Sequence, residues 1–425
     1  MGNYKNIKSL IIKNIAWFGI QIGFTLQLAN ISIIYGYFGA KTAQIPILFL
    51  AFPLGGLLIP PLVGIVSDRT NGRFGRRKPY ILIGMLVSAM ALFLIPRCSM
   101  LWEIVLLACA FSFAINMAMV PLRAFTTDGL SNEQMTLGFS VQGIIIALGS
   151  IISACFPWLL TNIFKIGTKR TNIIPEFVTI SFTVGAVAMV ITAILTTAYS
   201  KDLKISKDFV HPEKSNNIFL EMLKDITKMP KEMVNLSIIQ FFAWLGLMGI
   251  FMYFPVMINE NIFKNSSGIT GHDLGIQWTG ICFAVYAIIQ FIVSFLIPYI
   301  SRKITEKYTL LLTLLCGGIG AMSVYFFNTQ YGVIWSMIGI GIMIAGLNIL
   351  PFSILSQIIS HDKTAAYMGI LNIFISLPGT LLSFVFGPII HYFYFDDSLY
   401  GVVLSGAFIL IAAAVGIRVK IKNVP

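Results

Sequence analysis

The chain has 425 residues, of which 57% are hydrophobic and only 11% charged, and its formal net charge is +12. So much apolar surface excludes a soluble domain, and in such a chain the positive charge is better read as a topology signal than as a nucleic-acid footprint. The apolar runs are too long for the strands of a membrane barrel, which leaves helices of about 20 residues as the spanning elements.

Lys5, Lys8 and Lys13 precede a first apolar run over 14–36. The pattern looks like a signal peptide at its start, but the run outlasts a signal core and carries Gln21, Gln27 and Asn30, so it is read as a spanning helix. Gln27 and Asn30 are three residues apart and share one helix face. The second run, 45–66, leads into a short link bearing Gly64, Ser67, Asp68, Arg69, Arg73, Gly75, Arg76, Arg77, Lys78 and Pro79 before the third run, 80–96. Five basic residues and one aspartate in so short a link suit a turn that must both hold orientation and move. Gly64, with no side chain, lets a neighbouring helix approach closely. Asp68 sits where it can meet the N-terminus of another helix, such as one starting near Thr364. The arginines are able to pair with Asp128, Glu133 or Asp362, to bind anionic headgroups, or only to keep the link on one side of the membrane.

The fourth run, 101–123, carries Ser112, Asn116 and Pro121 and ends in Arg123, five residues before Asp128. An arginine entering the hydrocarbon faces protein or water, or snorkels to the interface; if the helix ends before Asp128, the two are able to pair. Runs over 137–160 and 175–198 complete six. A polar segment from Ser200 to Glu232, with charges of both signs, then reads as a solvated linker or surface helix. Six more runs follow, at 234–257, 276–299, 309–327, 331–356, 365–392 and 400–417. Among them, Gln240 and Trp244 are four apart, Trp278, Cys282 and Tyr286 make one stripe, and Asn348, Asn372 and Ser376 are the further polar positions. The expected organisation is therefore an N-terminal six-helix bundle (1–199), a central linker (200–233) and a C-terminal six-helix bundle (234–425).

With both termini cytoplasmic, 23 of the 29 lysines and arginines fall in cytoplasmic segments and six outside, among them Lys41, Arg97 and Lys264. This asymmetry orients the chain. Gln27, Asn30, Asn116, Gln240, Trp244, Trp278, Tyr286 and Asn372 form a set of amides and aromatic faces, suited to a neutral hydroxylated solute; each alone also reads as helix–helix glue. No acidic residue lies near the middle of a run: Glu103 and Glu176 sit towards outer ends, and Asp273 precedes the eighth. His391 is a weak alternative proton acceptor. The five cysteines form no Cys-x-x-Cys pair, and no metal site or cofactor is expected.

Several of these motifs carry a family resemblance that runs through nearly the whole chain. Gly19-x-Gln21-x-Gly23-x-x-Leu26-Gln27-Leu28, Pro61-x-x-Gly64-x-x-Ser67-Asp68-Arg69 with the basic link after it, Pro121-x-Arg123-Ala124-x-x-x-Asp128, Phe283-x-x-Tyr286 and Met368-Gly369-x-x-Asn372 carry it. Together they resemble sucrose-transporter-like major facilitators, akin to the glycoside–pentoside–hexuronide:cation symporters, in a bacterial form. The resemblance implies an all-α polytopic membrane protein of about twelve helices in two bundles. It also implies proton-coupled uptake of sucrose, maltose or a related glycoside at the inner membrane. Two positions depart from the pattern. Family members usually carry a coupling aspartate nine residues before the fourth-helix proline, where this chain has Ser112, and a glutamine after the eleventh-helix proline, where it has Gly379.

The expectation is a secondary carrier of a small sugar that works by alternating access, with protons and membrane lipids as further partners and no nucleic acid. Gly64, Asp68, Arg69, Arg73, Gly75, Arg76, Arg77, Arg123 and Asp128 are its candidate gate. Uncoupled facilitation or exchange fits Ser112, and an organic-anion carrier stays open through Arg123. A channel would show polar rings or a filter, and an enzyme a nucleophile elbow or phosphate loop; the sequence has neither.

Overall fold

In the computed structural model the described residues are 7–38, 48, 50–70, 72–166, 174, 176–200, 218–263, 269–327, 329–359, 363–394 and 397–418. Lys41, Lys264, Asp362 and most of the central linker lie outside them, as do the side chains of Asp273 and His391. Fourteen α-helices follow in chain order among the described residues. They are α1 (Ile7–Asn14), α2 (Ala16–Tyr37), α3 (Ala51–Arg69), α4 (Lys78–Leu94), α5 (Leu101–Thr127), α6 (Asn132–Trp158) and α7 (Glu176–Tyr199), then α8 (Ile218–Thr227), α9 (Lys231–Met257), α10 (Ile269–Ile304), α11 (Glu306–Ser323), α12 (Gly332–Ile358), α13 (Thr364–Tyr394) and α14 (Ser398–Arg418).

Eleven stretches of these helices are long and apolar enough to cross a membrane. The expected second run is α3, a 19-residue helix with Pro60 and Pro61 inside it. Helices dominate because hydrocarbon offers the backbone no hydrogen-bond partner other than itself. Pro121 in α5, Pro255 in α9 and Pro351 in α12 are all tolerated inside helices. α6 and α9 each widen into a π turn at their ends, Leu159–Ile163 and Ile258–Ile262, just after Pro157 and Pro255. A proline that removes one i→i−4 bond makes the wider turn locally tolerable.

The chain divides into two compact units. The first comprises Met1–Met229 together with Ile359–Ile373, and its core is built on Trp17, Tyr35, Phe111, Phe125 and Phe182, all under 2% exposed. In it α2 packs on α7 and α6, and α5 on α4 and α3. The second comprises Pro230–Ile358 with Phe374–Pro425. There α9 lies along α14 and α11 along α12, with Phe254 and Phe352 buried. Both units expose apolar stripes, such as Ile83, Val87 and Met90 on α4 and Ile288, Ile292 and Phe295 on α10. Spacings of three and four residues put each stripe on one helix side, the pattern of a lipid-facing surface rather than a water-facing one.

Candidate functional site: a charge-locked turn beneath α13

The link between α3 and α4 is a tight turn. Gly75 has φ of +95°, a backbone that side chains with a Cβ rarely adopt, and its N–H donates to the Gly72 carbonyl at 3.0 Å. An isolated bridge joins the same two glycines, leaving Arg73 and Phe74 exposed at the tip. The turn reverses the chain so that Arg76 and Arg77 point back under α3 and α5. Arg77 has no solvent exposure at all.

Four charges meet there. Arg77 donates through Nη1 to Asp68 Oδ1 at 2.7 Å and through Nε to Asp128 Oδ2 at 3.3 Å. Arg76 donates through Nη2 to Asp128 Oδ1 at 3.0 Å. Arg77 Nη1 also reaches Ser67 Oγ at 3.4 Å. Two arginines and two aspartates balance, which is what makes their burial tolerable. Burial alone would lower the Arg77 pKa, but the carboxylates of Asp128 and Asp68 outweigh it and hold the guanidinium above its ordinary value. Asp128 itself caps the C-terminus of α5, and its backbone carbonyl accepts from Lys13 Nζ at 2.6 Å.

The second oxygen of Asp68 faces a helix end. Oδ2 accepts from the backbone N–H of Ala366, in the first turn of α13, at 2.8 Å. A carboxylate at a helix N-terminus satisfies an orphan donor and gains from the dipole. Two glycines make the approach possible. A Cβ on Gly64 would collide with the Ala365 carbonyl, and one on Gly369 with the Pro60 carbonyl. The backbones of α3 and α13 therefore touch on both sides of the crossing.

A second polar group lies deeper along α5. Arg123, buried, donates through Nη1 to Asn372 Oδ1 at 3.1 Å, and its guanidinium sits 5.2 Å from the Trp17 ring centroid. Asn372 Nδ2 in turn donates to the Gly56 carbonyl at 2.8 Å. The anticipated proximity of Arg123 and Asp128 takes another form: α5 continues helical to Thr127, Asp128 is held by Arg76 and Arg77, and Arg123 is tied to α13. Asn372, expected among solute ligands, thus sits in the same network as Arg123, expected at the gate. Ser112 is fully buried where α3 crosses α5, and a Cβ on Gly55 would lie 2.5 Å from its Oγ.

The remaining expected residues are dispersed. In the first unit, Gln27 is buried on α2, Asn30 donates back to the Leu26 carbonyl, and Asn116 to the Ser112 carbonyl. In the second, Trp244 Nε1 donates to Gln240 Oε1 at 2.9 Å, and Gln240 Nε2, fully buried, has no partner among the described residues. Tyr286 packs edge-on against Phe283 at 5.4 Å. Trp278 donates to the Gln330 carbonyl, in the turn before α12, and stacks edge-on against Tyr331. Arg69 is half-buried and Arg73 is exposed at the turn tip. Sequence reasoning passed over Trp17 and Asn14, whose Oδ1 accepts from Thr126 Oγ1 at 2.7 Å. An asparagine opening an apolar run was the signal for the second; an indole in an apolar run gave none.

These features define a polytopic helical membrane protein whose helix ends are held by a buried charge lattice. The chain matches the Major Facilitator Superfamily model over residues 15–383 and belongs to that superfamily of membrane transporters; it is not an enzyme. It is 24% identical over 307 residues to the general alpha-glucoside permease of Schizosaccharomyces pombe, a match covering 66% of this chain and 54% of that protein. The match thus spans about half the length of the permease. It is 21% identical over 437 residues to sucrose transport protein SUT5 of Oryza sativa subsp. indica, covering 87% of this chain and 80% of that one. In fold it is similar to the Major Facilitator Superfamily transporter FucP, solved in the outward conformation, with a TM-score of 0.72, 14% identity, and 96% of this chain and 98% of that one covered. A further similar structure is the nucleoside transporter NupG, with a TM-score of 0.65, 15% identity, and 96% and 99% covered.

Proposed function

We propose that the protein carries a small sugar or glycoside across a bacterial inner membrane by alternating access, with both termini cytoplasmic. The observation that carries this reading is the Asp68 carboxylate, shared between Arg77 and the Ala366 amide. A contact of that kind is easily made and broken as a unit, because the charges remain paired with Arg76, Arg77 and Asp128 when α13 leaves. We call it the inner gate, since the lysine and arginine asymmetry puts it on the cytoplasmic side. The N-terminal half (1–199) and the C-terminal half (234–425), joined by the linker 200–233, are the bodies whose motion opens it.

Sugar is the solute because the two curated relatives are named for alpha-glucosides and sucrose, and because the candidate ligands are amides and aromatic rings without fixed charge. Gln27, Asn30, Asn116, Gln240, Trp244, Trp278 and Tyr286 are assigned to solute binding, with Asn372 shared by the gate. Protons are the coupling ion implied by the family resemblance. A second reading, uncoupled facilitation or exchange, is favoured by Ser112, fully buried where the coupling aspartate is expected. Reconstituted protein given sucrose, maltose or a glucoside, with a pH-sensitive dye inside the vesicles, separates the two. Solute entry with proton entry supports symport; solute entry without it supports the second reading; stabilisation by organic acids alone, with no sugar flux, removes the sugar assignment.

A further inference from the structure

α8 lies in the segment that joins the two halves, which the sequence reads as a solvated linker or surface helix. One of its charges is not solvated. Met222 and Ile226 are half-buried and Asp225 is 3% exposed, while Leu220, Leu223, Lys224 and Lys228 face outward. The inward stripe at 222, 225 and 226 therefore contains a carboxylate. Its Oδ1 accepts from Lys363 Nζ at 2.6 Å, and its Oδ2 has no partner among the described residues.

Lys363 immediately precedes α13, three residues before the amide that Asp68 caps. A lysine at a helix N-terminus is opposed by the helix dipole, and Asp225 reverses that local balance. α8 also packs on α3, the helix that carries Asp68. The start of α13 is thus gripped by two carboxylates, one from α3 on its backbone and one from the linker on its side chain. A carboxylate taken from water with only one of its oxygens paired is costly, and such a cost marks a position held for a reason other than solubility.

We infer that Asp225 is a positioning residue of the inner gate: through Lys363 it holds the first turn of α13 where Asp68 caps it, so the linker is a strap that must let go before α13 moves. This rests on the gate reading above. The test is amide hydrogen exchange on the purified full chain, followed in peptides that cover the first turn of α13. Asp225→Asn is expected to raise exchange there on the order of tenfold, the scale of one part-buried charge-assisted hydrogen bond lost. Lys363→Gln reads the same contact from the other side if Asp225→Asn does not fold. The charge-exchanged pair Asp225→Lys with Lys363→Asp is expected to bring exchange back to within about twofold of the parent, which loss of packing alone would not allow. Exchange at α13 unchanged in both single variants, or loosening confined to α8, overturns the strap. Asp68→Asn separates the two ideas. If it raises exchange at α13 and the strap variants do not, only the strap falls; if it raises nothing, the gate falls and the strap with it.

Discussion

Replacing Asp68 by asparagine removes charge and keeps shape, so it isolates what the carboxylate contributes. Asp68 makes two charge-assisted bonds, from Arg77 Nη1 at 2.7 Å and from the Ala366 amide at 2.8 Å. Such bonds are worth ~1.5–3 kcal/mol each. An amide has one acceptor oxygen, so one of the two donors must face an NH2 group, and the bond that survives loses the carboxylate's charge. The closed gate should weaken by ~2–3 kcal/mol, a shift of about 30- to 150-fold towards the open state. The assay is alkylation of a single cysteine placed at Asn116, with the five native cysteines replaced by serine. Asn116 lies twelve residues along α5 from Asp128, about 18 Å at the helical rise, so under the proposed mechanism reagent arriving from the Asp128 end reaches it when the gate opens. A membrane-impermeant maleimide supplied from that end should label Asn116→Cys faster by that factor in Asp68→Asn, and solute uptake should fall when Asp68→Asn is made with Asn116 intact. Labelling within about twofold of the parent, in protein that still folds, would refute the argument.

Gly64→Ala places a methyl group against the Ala365 carbonyl; overpacking of ~1–3 kcal/mol should open the same gate, read by the same labelling, while a Gly72→Ala control, with no neighbour closer than 3.7 Å, should leave it shut. Arg73→Ala should leave transport unchanged and Arg76→Ala should slow it, because the first side chain is exposed at the turn tip and the second holds Asp128; equal effects in an uptake assay would count against the lattice. Ser112→Asp should make uptake more pH-dependent if the missing acid matters, at a cost in thermal stability from crowding against Gly55; an unchanged pH profile rejects the link.

Much of the charged turn was legible because its parts are contiguous and chemically odd. An aspartate, a glycine and a run of arginines between apolar helices announce a turn that must be paired, and the N-terminus near Thr364 was the natural recipient of Asp68. The pairing itself was harder to read. Arg123 and Asp128 are five residues apart, and proximity in sequence favoured joining them. The helix continues past Arg123 and ends only at Thr127, and the two side chains go to different partners. The solute set was less legible still. Gln, Asn and Trp inside apolar runs carry the same signature whether they bind a ligand or their own helix, and Asn30, Asn116 and Trp278 all have ordinary protein acceptors. Asp225 was hidden by composition, because a linker rich in both charges reads as solvated until one aspartate turns up on the apolar side of its helix.

The second unit shows what such a turn looks like without the aspartate. Ser301-Arg302-Lys303 echoes Ser67-Asp68-Arg69 but lacks the aspartate and the glycines. The neighbouring helix start carries Glu306 instead, and its Oε1 accepts from Ser353 Oγ at 2.8 Å and Gln357 Nε2 at 2.9 Å, both on α12 after Pro351. Ser353 follows its proline by two residues, as Arg123 follows Pro121. Two neutral donors thus meet this carboxylate, where a guanidinium meets Asp68 in the first unit. Glu306→Gln keeps an acceptor oxygen for both of these donors. It should therefore cost less than the ~2–3 kcal/mol argued for Asp68→Asn. Thermal midpoints of the two variants measured side by side, with labelling at Asn116→Cys, test the contrast. If Glu306→Gln opened the path as far as Asp68→Asn does, the release step would belong equally to both units, and the charged turn beneath α13 would lose its distinct role in the cycle.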